Sequence, residues 1–173
     1  MILVDFSCKI TILSANMIEE ISGVPRFSEE ERALYFAMDS EEQDIAYGHR
    51  SPESRLFFIL QLGYFKAKKL FVTPTDDEIK EDIKFIGNRY FAGTSFPVNF
   101  EINRVTRWNK QKRILHLFYN YHYCDISWRI KIQEKAQQSV RLSSKPIFKF
   151  RHLLGYPEKW RVVLPPIVPC KTS

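Results

Sequence analysis

Cysteine is scarce in this chain of 173 residues, and the little there is excludes a disulfide-stapled fold. Cys8, Cys124 and Cys170 are odd in number and far apart, with no C-x-x-C spacing, so a reducing, cytosolic compartment is expected. Long apolar runs are missing as well: no uninterrupted stretch approaches the ~18 residues a membrane-spanning helix needs. The opening MILVDFSCKITILSANMIEE has an acid at Asp5 and polar residues before position 10, which leaves neither the basic region nor the clean apolar core of a signal peptide. A soluble protein without membrane partners is the expectation. The six glycines form no phosphate-binding loop or dinucleotide fingerprint, and neither G-x-S-x-G nor H-E-x-x-H occurs. No internal repeat or low-complexity tract is present.

What the chain does contain is apolar and aromatic bulk, 45% and 14% of its residues, enough to commit it to a folded core. The stretch RSPESRLFFILQLGYFKAKKLF, residues 50–71, is the most apolar and reads as the longest helix. Ser51 suits its N-cap and Pro52 its first position. Leu56, Leu60, Gly63, Tyr64 and Ala67 make one stripe at helical spacing, and Phe57 and Ile59 widen it beyond what a one-sided surface helix requires. Such a helix belongs in the middle of a bundle. Gly63 costs about 1 kcal/mol against Ala in a helix, which predicts a close approach by a neighbouring backbone.

Capping signals place other helices around it. A short β-branched run at 10–13 leads to Ser14, a cap for a brief helix ending at Gly23. Ser28 and Glu31 read as a capping box with Leu34 and Tyr35 on the buried side, and Asp39 as the cap of a short helix ending at Gly48. Thr75 opens a helix in which Ile79, Ile83, Ile86 and Tyr90 recur at helical spacing. Three more helices follow. One covers 103–118 with Val105, Trp108, Leu115 and Phe118 inward; one runs from Asp125 or Ser127 through Val140 with Trp128, Ile132 and Ala136 inward; one starts at Ser144. Residues 162–166 read as extended. The fold class is therefore all-α: a multi-helix bundle, with two small helical subdomains and helix-turn-helix-like elements as its alternative form. The divisions read as an extension at 1–9, an acidic subdomain at 10–96 around the helix at 51–70, a basic three-helix subdomain at 97–165 and a tail at 166–173.

The formal charge of +6 conceals a division. Through residue 100 there are 11 Lys and Arg against 16 Asp and Glu, a net of −5; from residue 101 there are 15 against 4, a net of +11. Such asymmetry points to an anionic partner for the second half, nucleic acid being the commonest, with a merely solubilising basic surface as the competing reading. Arg104, Arg107, Lys110 and Arg113 on the first basic helix, Arg129, Lys131 and Lys135 on the second, and Lys149 and Arg151 on the third are the candidate DNA-binding residues. Asn109, Gln133, Gln137 and Gln138 lie among them and have the chemistry to reach base edges. Metal chemistry is poorly represented. His116, His122 and Cys124 fit no common zinc spacing, and Asp39, Glu42 and Asp44 read as a solvated acidic face rather than a magnesium site. No cofactor, metal or catalytic residue is expected.

In order and spacing, four segments resemble the N-terminal domain of Tn-three family replicative transposases: KITILSANMIEEISGVPRFSEEERALYF, RSPESRLFFILQLGYFKAKKLF, DDEIKEDIKFIGNRYF and KPIFKFRHLLGYPEKWRVVLP. The resemblance runs from Lys9 to Pro165 and is most specific in FILQLGYFKAKKLF. It implies an all-helical region that binds the terminal inverted repeats of the transposon as double-stranded DNA, in a bacterial cytoplasm and at the nucleoid when bound. Cleavage and strand transfer belong in that family to a later domain with an Asp-Asp-Glu metal site, so this polypeptide is expected not to be an enzyme. The family pattern continues past V-L-P with Gly, Tyr and a further helix, whereas here PIVPCKTS follows, which reads as a truncated or interrupted transposase gene or as a fragment made on purpose. Two competing readings are a protein-interaction or regulatory fragment, docking on itself or on full-length transposase, and an inert product of a decayed gene.

Overall fold

Small polar residues set the helix starts of this protein. In the computed structural model, which describes residues 19–20, 23–92, 94, 96, 104–140, 157 and 159–164, Ser28 opens α1 (Glu29–Tyr35). Its hydroxyl accepts from the Glu31 N–H at 3.2 Å while the Glu31 carboxylate accepts from the Ser28 N–H at 2.8 Å, a reciprocal box that satisfies two otherwise orphaned donors. Asp39 and Glu42 make the same exchange at 2.9 Å in both directions to start α2 (Ser40–Tyr47). Ser51 accepts from the Ser54 N–H at 3.1 Å to start α3 (Pro52–Lys68). Ahead of α4 (Asp76–Tyr90), the Glu78 carboxylate reaches back to both the N–H and the hydroxyl of Thr75, at 2.7 and 2.6 Å. α5 (Arg104–Leu117) follows, and the Asp125 carboxylate accepts from the Trp128 N–H at 3.0 Å to begin α6 (Ile126–Val140).

Two short strands, β1 (His122–Tyr123) and β2 (Val162–Val163), pair in parallel with His122 opposite Val162. The extended reading of 162–163 holds, and its partner at 122–123 is an addition to the expected architecture. The fold is otherwise helical among the described residues, an all-α multi-helix bundle. The run at 10–13 and the helix expected from Ser144 lie outside the described residues.

α3 occupies the centre, as its composition requires. Every residue from Leu56 to Phe65 is buried, with α1, α2, α4 and α5 packed against it. A side chain such as Leu60 or Phe58 contributes about 1.5–3 kcal/mol by leaving water, so this ten-residue span dominates the cohesion of the bundle. Aromatic rings extend the core in both directions: Phe36 meets Tyr64 edge-on at 6.0 Å between centroids, and Phe65 stacks on Phe71 at 4.9 Å. Gly63 exists for Phe36. A Cβ built there would lie 2.3 Å from Phe36 Cδ1, whereas the nearest backbone atom, the Tyr35 carbonyl oxygen, is at 3.3 Å, so the close approach is chiefly a ring and not the backbone the sequence suggested.

The polar groups admitted to the interior are all tied to α3. Tyr64 donates its phenol to Asp82 Oδ2 at 2.7 Å, and Arg32 Nε donates to Asp82 Oδ1 at 2.7 Å, which joins α1, α3 and α4 through one buried carboxylate. Burial and the adjacent Asp82 push the Tyr64 phenol far above its ordinary pKa. Lys66 donates to Glu42 Oε2 and to the Ala37 carbonyl, both at 2.6 Å. Glu42 is therefore a buried structural acid and not part of a solvated acidic face. Leu34, expected inside, is 66% exposed, and Phe36 takes the interior position at the end of that turn. The Gly63→Ala variant is expected to lose about 1–3 kcal/mol in urea unfolding because the new methyl overpacks against Phe36. Gly48→Ala, in ordinary αR backbone with its nearest neighbours at 3.3 Å or more, is expected to stay within about 1 kcal/mol of the parent.

Candidate nucleic-acid interface

α5 carries the first set of basic residues, and its orientation follows from which side chains find partners. Ile114 and Leu115 are buried, and so is Lys110 at 2% exposure. Val105 and Trp108, expected inward, are 68% and 42% exposed. Trp108 instead lies against the Tyr123 ring of β1 at 4.3 Å, with the Lys112 ammonium 5.2 Å from its centroid. Leu115 is inward as expected and Phe118 packs against the core, so it is the first half of the expected stripe that is displaced, and the buried positions there are Lys110 and Ile114.

Lys110 corrects the reading of that position as part of an exposed basic face. Its ammonium donates to the Ser54 carbonyl at 2.9 Å and the Ser54 hydroxyl at 2.5 Å, and lies 3.5 Å from His49 Nδ1. It pins α5 to the first turn of α3. No carboxylate among the described residues pairs with it, and burial first and the neighbouring Arg113 second push its pKa down to about 8. His49 responds to the same surroundings: burial, then Lys110, Arg113 and Arg55, lower its pKa to about 4 and keep the imidazole neutral at physiological pH.

The remaining candidates fall into two groups. Arg113 is exposed and Arg107 half-exposed along α5. On α6, Arg129 is exposed, Lys131 is exposed with its ammonium 4.3 Å from the Trp128 centroid, and Lys135 is half-exposed and donates to Gln138 Oε1 at 2.9 Å. Trp128 in turn lies 5.6 Å from Trp160, which anchors α6 beside the chain leading to β2. The backbone of Arg104 belongs to α5, but its side chain, like Lys149 and Arg151, lies outside the described residues. Sequence reasoning passed over His49 and Arg55. Both flank the Ser51 cap in GHRSPESR, a turn whose basic character was legible but whose distant partner on α5 was not.

The charge division has a structural counterpart. The ion pairs among the described residues are Arg32–Asp82, Lys66–Glu42 and Lys80–Asp77, all within the first half. Arg107, Lys112, Arg113, Arg129 and Lys131 enter none of them. No His, Cys, Asp and Glu side chains gather in groups suited to a metal ion among the described residues, and no described helix is long and apolar enough to cross a membrane.

A helical bundle whose ion pairs among the described residues all lie in the acidic half, while Arg107, Lys112, Arg113, Arg129 and Lys131 of the basic half enter none, is the kind of domain these observations define. The chain belongs to the DUF4158 family, a domain of unknown function whose family model matches residues 12–168. No curated protein and no solved structure matches it.

The depressed pKa values set a pH dependence. Between about 4 and 6.5 the unfolded chain holds the His49 proton more tightly than the folded chain, so stability falls as pH drops through that window, and the loss is complete below it. Lys110 acts alike between about 8 and 10.5, where stability rises with pH as the buried ammonium is relieved of its charge. Urea midpoints followed against pH are expected to show each component vanish in His49→Gln and in Lys110→Met respectively.

Proposed function

We propose that this chain is a DNA-binding module of a transposase, specific for the terminal inverted repeats of its transposon. The observation that carries the reading is the uncompensated positive charge of α5 and α6, where Arg107, Arg113, Arg129 and Lys131 make no ion pair among the described residues. Cations without an ion-pair partner are suited to phosphates, and neutralising a row of phosphates releases counterions and drives association. The family match over residues 12–168 spans the stretch that carries the resemblance, and the family is associated with Tn-three family transposases. Phosphate contacts from both helices would fix the register, while Asn109 on α5 and Gln137 and Gln138 on α6 supply the bidentate amides that read base edges. In this reading no residue of the chain performs catalysis.

A second reading has one observation in its favour. Ile126 and Ile130 lie one turn apart on α6 and both are exposed, Ile126 at 76%, an arrangement suited to docking on a second copy or on another part of a transposase. Light scattering across protein concentration separates the two readings. The DNA reading expects a gel shift with an inverted-repeat duplex at lower protein concentration than with a scrambled duplex, and an affinity that falls at least tenfold between about 50 and 200 mM salt. Equal affinity for both duplexes removes the specificity claim, and no shift for either removes DNA binding altogether.

A further inference from the structure

Buried polar atoms without partners concentrate around Lys110. Of the buried side-chain nitrogens and oxygens left unsatisfied among the described residues, Gln61 Oε1 sits in the core, and the others are His49 Nε2, Arg55 Nε and Arg107 Nε. His49 and Arg55 flank the N-cap of α3, whose Ser54 holds the Lys110 ammonium. Arg107 and Arg113 lie one turn before and one turn after Lys110 on α5, which places them to either side of it. The Lys110 bond to His49 Nδ1 requires the neutral ring to carry its proton on Nε2, so all three orphaned nitrogens are N–H donors that the fold covers without supplying an acceptor.

The charge around these donors is one-sided. Lys110, Arg113 and Arg55 all act on His49, and the positive end of the α3 dipole lies beside them. None of these residues enters an ion pair among the described residues. Charge of one sign gathered without a counter-charge costs stability, and a single anion beside it relieves that cost. The seat is also accessible. Arg113 is exposed, Arg107 is half-exposed, and the Arg55 guanidinium lies over the exposed Tyr47 ring at 4.6 Å. Lys110 lies beneath with its three donors already directed to Ser54 and His49, so it supplies charge without a further hydrogen bond.

We infer that His49, Arg55, Arg107, Lys110 and Arg113 form a seat for one backbone phosphate of nucleic acid, where the turn before α3 meets α5. The inference rests on the DNA-binding reading and adds to it a place, one that includes two residues of the acidic half. The exposed Arg113 and the half-exposed Arg55 and Arg107 offer planar guanidinium groups suited to phosphate oxygens, and the buried Lys110 adds its charge from beneath.

The test uses the whole chain, a fluorescently labelled inverted-repeat duplex and a scrambled one, and anisotropy measured across salt. Arg55→Gln and Arg113→Gln are each expected to weaken binding to both duplexes alike and to reduce the slope of log affinity against log salt by about one. Arg55→Lys and Arg113→Lys keep the charge and are expected to restore the slope, which separates a lost phosphate contact from a folding defect. If the parent binds duplex and both Gln variants keep its slope, the seat is overturned while the DNA reading stands. If the parent binds no duplex but inorganic phosphate at constant ionic strength raises its thermal midpoint, and does so less in Arg55→Gln, the seat takes a small free anion and the backbone assignment is overturned together with the DNA reading.

Discussion

The burial of α3 on every side is the constraint to which the rest of this protein answers. A helix with apolar groups around its whole circumference cannot lie on a surface, so other elements must close over it, and here α1, α2, α4 and α5 do so. Its few polar groups then dictate where those elements sit. Tyr64 calls for an acceptor and receives Asp82 from α4, which brings in Arg32 from α1. Lys66 calls for an acid and receives Glu42 from α2, whose carboxylate also completes the cap of its own helix. Ser54, at the opposite end, holds Lys110 of α5.

That last tie connects the core to the proposed function. Several acids of the first half serve caps and ion pairs with its own cations, as with Glu31 at Ser28 and Glu42 at Lys66. The second half has four acids against fifteen cations, and α5 is the part of it that packs on α3. Lys110 is held at the junction by a carbonyl, a hydroxyl and an imidazole instead of a carboxylate, and His49 and Arg55 are drawn into the same cationic field. In the proposed reading a phosphate supplies there the negative charge that no described carboxylate brings.

Local features were legible in the sequence because their physics is local. Ser28 with Glu31, Asp39, Ser51 with Pro52, and Asp125 each mark a helix start through contacts spanning three residues, and each start is found where its cap placed it. The central position of α3 was legible for a related reason, since its composition leaves no wet face. Long-range choices were not. The partners of Lys110 are 56 and 61 residues away, and nothing near Lys110 in the chain distinguishes a buried ammonium from an exposed one. α5 has apolar and aromatic residues on more than one face, so a stripe that joined Val105 and Trp108 to Leu115 was as plausible as the one that joins Lys110 and Ile114 to it. Only the presence of Tyr123, brought in by the β1–β2 pairing, gives Trp108 a place outside the core.

Amide hydrogen exchange, followed with and without an inverted-repeat duplex, tests most directly whether a buried central helix carries a nucleic-acid surface at its N-terminal edge. The expected result is that amides of Leu56 to Phe65 are the slowest in both states and that the duplex slows exchange across 49–55 and 104–117. Rapid exchange in α3, or duplex protection confined to α1 and α4, would contradict it.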